Sequence, residues 1–95
     1  MNYTNMLTQA VVELNQAKGY HETQAFTEAV ADAVYYVSYV NEHIDIYTTD
    51  PVLKNAERDL GIWMARYAKV SNVTKGNLSA AISMLQSIID NIKGN

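Results

Sequence analysis

The chain has 95 residues, no cysteine, and seven basic against ten acidic side chains, a formal net charge of −3. That length suits one domain with its own core. The lack of cysteine excludes disulfides and thiolate metal sites, and the negative balance argues against general nucleic-acid or anionic-membrane binding. No apolar run approaches the roughly 20 residues that span a bilayer. The opening MNYTNMLTQ lacks the basic-then-apolar order of a signal peptide, so the expected location is the cytoplasm of the producing cell. Asn2-Tyr-Thr, Asn72-Val-Thr and Asn77-Leu-Ser match the glycosylation pattern, and without a secretion signal they are read as chance.

Taken in order, the chain reads as helices throughout. Met6 or Leu7, Ala10 or Val11, and Leu14 form an apolar stripe that predicts a first helix over about 3–17. Gly19 is placed to end it in the left-handed conformation. Phe26, Val30, Ala33, Val37, Val40 and Ile44 step by four and three over about 22–44. That sustained period outweighs the strand preference of the Val and Tyr residues within it. A short connection leads to Asp50, which can cap a third helix over about 50–70, with Pro51 at its first position. Its stripe is Leu53, Ala56, Leu60, Trp63, Tyr67 and Val70, with the only Trp of the chain in the middle. The segment from Ser71 to Gly76 reads as a loop. Asn77 is then placed to cap a fourth helix over about 77–92, carrying Leu78, Ile82, Leu85, Ile89 and Ile92 and stopped by Gly94. Four stripes, short loops and no strand pattern predict an all-α fold, a small antiparallel bundle of about four helices.

No chemical motif stands out. There is no Gly-rich phosphate loop, no G-x-S-x-G, no H-E-x-x-H and no E-x-x-H pair. Glu42, His43 and Asp45 lie close in sequence, but neighbours one position apart diverge by about 100° around a helix. His43 is therefore read as a cation near a helix C-terminus, and His21 as structural. Glu28 and Asp32 stand one turn apart, a spacing that can chelate a hard cation and more often marks a solvated face. No catalytic, cofactor or metal residue is assigned, and the chain is not expected to be an enzyme.

The faces opposite the stripes are more telling. On the second helix that face carries Glu28, Asp32, Tyr35, Tyr39 and Glu42, and on the third Asn55, Arg58, Ile62, Arg66 and Lys69. Acidic and aromatic thus stand against basic and aliphatic, and Tyr and Arg are frequent interface anchors. Two readings of these faces stand open: packing on the first and fourth helices, or contact with another molecule. A contact between different faces of the same protein is heterologous and propagates as a ring or a filament.

Three stretches resemble the head–tail connector (head-completion or adaptor) proteins of tailed bacteriophages. Residues 6–14, MLTQAVVEL, are similar to that family's opening M-L-T-x-x-x-V-x-x-L. Residues 29–41, AVADAVYYVSYVN, resemble its A-x-x-Y-I-x-x-Y helix, and Pro51 to Tyr67 its P-x-x-(V/L)-(K/R)-x-A helix with a later aromatic. The connection between the second and third helices is shorter than in many members. The C-terminal part is a plain amphipathic helix without the β structure some members carry. The resemblance implies a virion protein whose copies form a ring below the portal, extend the DNA channel and dock tail components. Its partners would be itself and portal or tail proteins. Tyr35, Tyr39, Glu28 and Asp32 would meet Arg58, Ile62 and Arg66. One alternative is a small helical protein that binds or inhibits one host or viral protein through its Tyr35/Tyr39 face. Another is a helix-turn-helix module around Asp50 and Gly61, disfavoured by net charge and by a third helix committed to packing.

Overall fold

A computed structural model describes residues 2–94 and contains four α-helices: α1 (Tyr3–Ala17), α2 (Thr23–His43), α3 (Pro51–Tyr67) and α4 (Leu78–Lys93). No strand occurs among the described residues. α1 packs on α2 and α4, and α3 packs on α4 and α2, so the helices occupy the corners of a square in the order α1, α2, α3, α4. Two bonds fix the running directions. The hydroxyl of Tyr3, at the start of α1, donates to the carbonyl of His43 at the end of α2 (2.9 Å). Lys75, just before α4, reaches the end of α1. The result is an antiparallel bundle measuring 44 × 22 × 22 Å.

The stripes account for most of the core, which also takes in Ala17, Ala29, Ala81, Ile88 and, from the loop before α4, Val73. Leu7, Leu14, Val30, Val37, Val40, Leu60, Trp63 and Leu85 are fully buried, and no buried residue among those described is polar or charged. Trp63 keeps its one donor satisfied by giving its indole N–H to the carbonyl of Ala81 (3.1 Å). Its ring lies 5.2 Å from that of Tyr67. On α4 the buried line is Leu78, Ala81, Leu85, Ile88 and Ile89, while Ile82 and Ile92 sit half-buried at its flanks. Phe26 is likewise half-buried.

Helix ends depart from expectation in three places. α3 stops at Tyr67 because Lys69 turns extended; Val70 still packs on the core, carried there by a 3-10 turn, Val70–Asn72. The apolar period thus outlasts the helix. Gly19 is not left-handed, and no described glycine has a positive φ. Instead the end of α1 tightens into i→i+3 bonds, Gly19 N–H to Gln16 (3.0 Å) and Tyr20 N–H to Ala17 (3.2 Å). Asn77 precedes α4 without capping it. Its side chain is used by the loop, accepting from the amide of Thr74 (2.8 Å) and donating to the carbonyl of Asn72 (2.7 Å). The cap at Asp50 does form, with its carboxylate accepting from the Val52 amide (2.9 Å).

Candidate functional site

The two outward faces stay on the surface. On α2, Glu28, Asp32, Tyr35 and Glu42 are exposed, Tyr35 by 64%. Tyr39 is not a second free ring. It is half-buried and stacks on His43 at 4.0 Å between centroids, while Nδ1 of His43 lies 2.8 Å from the Tyr39 carbonyl. The ring of Tyr35 meets the half-buried Tyr36 edge-on at 6.0 Å. Tyr35 is therefore the anchor this face presents, held in place by a neighbour below it. Glu28 accepts from Gln24 (3.1 Å).

On α3, Asn55, Arg58 and Arg66 are exposed, and Ile62 is 40% exposed between the two arginines. Lys69, expected on the same face, is exposed but lies beyond the end of the helix. Arg58 meets Asp59 at 3.5 Å with its own side chain 70% exposed. A pair so wet contributes little to stability and leaves the guanidinium available. Gly61 stands beside Ile62, also exposed, with nothing within 4 Å of where a Cβ would sit.

The α2 face and the α3 face do not meet each other. The seam between α2 and α3 runs elsewhere, marked by the Ser38 hydroxyl 3.8 Å from the Met64 sulfur. Glu28 and Asp32 instead border α1, where with Glu13 and Tyr20 they line a shallow cleft of about 160 Å³. Asn55, with Pro51, Val52 and Asn91, lines a cleft of about 350 Å³ between α3 and α4. Sequence reasoning missed Glu13 and Tyr20. Glu13 falls between Ala10 and Ala17 in helical spacing, at the edge of the α1 stripe, and that position was the available signal.

Sequence reasoning also missed Lys75. Its ammonium donates to three carbonyls at the end of α1, those of Ala17 (2.9 Å), Lys18 (3.3 Å) and Tyr20 (2.6 Å). It also sits 4.9 Å over the ring of Phe26. A cation on the negative end of a helix dipole and above an aromatic face is a structural clamp.

Among the described residues, no group of three His, Cys, Asp or Glu side chains could hold a metal ion, and no helix is long and apolar enough to cross a membrane. Comparison with protein-family models, with curated proteins and with solved structures finds no match. The likeness to head–tail connectors accordingly rests on the three stretches quoted above.

Proposed function

We propose that this chain is a structural assembly protein of the head–tail connector type, whose copies join through the α2 face of one and the α3 face of the next. In that role a ring of copies lies below the portal of a virion, extends the DNA channel and offers a docking surface to tail components. One observation carries the reading: both faces, with opposite charge and each with an apolar residue at its centre, remain exposed in the folded chain. Internal packing does not consume them. The resemblance of residues 6–14, 29–41 and 51–67 supplies the viral context.

Light scattering behind a sizing column, at low and moderate salt, tests it. The expected result is a discrete species of many copies that dissociates as salt screens the charged faces. Tyr35→Ala should abolish that species and leave the helical circular dichroism unchanged, since the ring is mostly in solvent. A monomer at every salt and protein concentration would overturn self-assembly. A one-to-one complex with a single foreign protein through the Tyr35 face would then be the reading to pursue.

A further inference from the structure

The order of the helices around the square fixes where the two faces point. The α1–α2 seam and the α3–α4 seam are opposite sides of that square. The acidic residues Glu28 and Asp32 lie on the first side, in the cleft that Glu13 and Tyr20 complete. The basic stripe lies on the second, because Ile62 and Arg66 follow Asn55 at helical spacing and Asn55 borders the α3–α4 cleft.

The patterns along the two helices also correspond. Arg58, Ile62 and Arg66 read charge, apolar, charge over about 12 Å of helix. Asp32, Tyr35 and Glu42 read the same with the opposite sign over about 15 Å, a difference that arginine side chains span. Resting on the self-assembly reading, we infer that the occupant of the α1–α2 side is the α3 of a second copy. Ile62 of that copy packs on the exposed ring of Tyr35. One of its arginines enters the carboxylate cleft of Glu13, Glu28 and Asp32, and the other meets Glu42. The apolar pair supplies affinity; the charges set register and exclude a shifted docking.

Because donor and acceptor faces are on opposite sides, each added copy presents a fresh acidic side facing away from the last contact. The contact has no two-fold axis and does not close as a dimer. It continues as a row that bends into a ring of many copies or runs on as a filament.

Charge reversal tests the pairing. Asp32→Lys with Glu42→Lys makes one variant, Arg58→Glu with Arg66→Glu the other. All four positions are exposed, and circular dichroism checks that each variant folds. Sedimentation velocity should show each variant alone with self-association weakened by about tenfold or more. An equimolar mixture should regain assembly, because reversed faces find each other. Ile62→Ser should weaken association with the charges intact. Wild-type protein that assembles while the reversals change nothing, or variants that fail to regain assembly when mixed, would overturn this contact and leave self-assembly standing. Wild-type protein that never assembles overturns both.

Discussion

At the end of the bundle where α1 and α3 finish, hydrogen bonds reach across long stretches of chain; where α2 runs into α3, most are short. Trp63 reaches Ala81 over 18 residues, and Lys75 reaches Ala17 over 58. At the opposite end, Asp45 holds the amide of Tyr47 and Thr48 holds that of Asp50, each over two residues. The bond from Tyr3 to His43 is the long-range exception there. Short bonds shape a turn, whereas long ones tie elements together. The first end is therefore a clasp. The second is a formed but untethered loop, with Ile46 and Tyr47 out in solvent, Tyr47 by 85%.

Three changes break or sharpen that contrast. Trp63→Ala removes the largest buried side chain beside the clasp and strands the Ala81 contact, and should lower stability by about 3–5 kcal/mol. A denaturant titration showing less than about 1 kcal/mol would mean that the clasp does not depend on its aromatic support. Lys75→Met keeps a side chain of similar length and loses the three carbonyl bonds and the charge over Phe26. Lys75 is an exposed residue, so the expected loss is about 1–2 kcal/mol. An unchanged titration midpoint would show that water caps α1 as well as the ammonium does. Tyr47→Ser, at the loose end, should change stability by less than about 0.5 kcal/mol. On the unsubstituted chain, limited chymotrypsin should cut first at Tyr47, where exposure and local bonding favour nicking. A first cut in the loop around Lys75 would reverse the ranking of the two ends.

The same contrast explains what the sequence made legible. All four helices and most core positions follow from apolar spacing, because burial on one face of a helix is a local pattern. Ala17, Ala29, Val73, Ala81 and Ile88 are buried outside the stripes, and Phe26, Leu53, Val70, Ile82 and Ile92 within them are only half-buried. Asp50 and Pro51 marked the start of α3, since capping acts within one turn. Lys75 and Asn77 were not readable in the same way. Both sit in a loop, and their partners are set by where the fold places distant or irregular backbone. Asn77 had the right type and position for a cap, and the loop used it instead. The outward faces were legible as lists of residues, but the stacking of Tyr39 on His43 was not. Nor was the entry of Glu13 into the acidic side, which depends on α1 lying beside α2.

The clasp has a consequence for synthesis. α1 and α2 are made before α3 and α4 and can pair as soon as both are out, since each has its most extensive contact with the other. The carbonyls that end α1 then wait for an ammonium encoded 55 to 58 residues downstream. Until Lys75 arrives, the nascent hairpin carries an open helix terminus, and its arrival locks α1 to the loop that precedes α4.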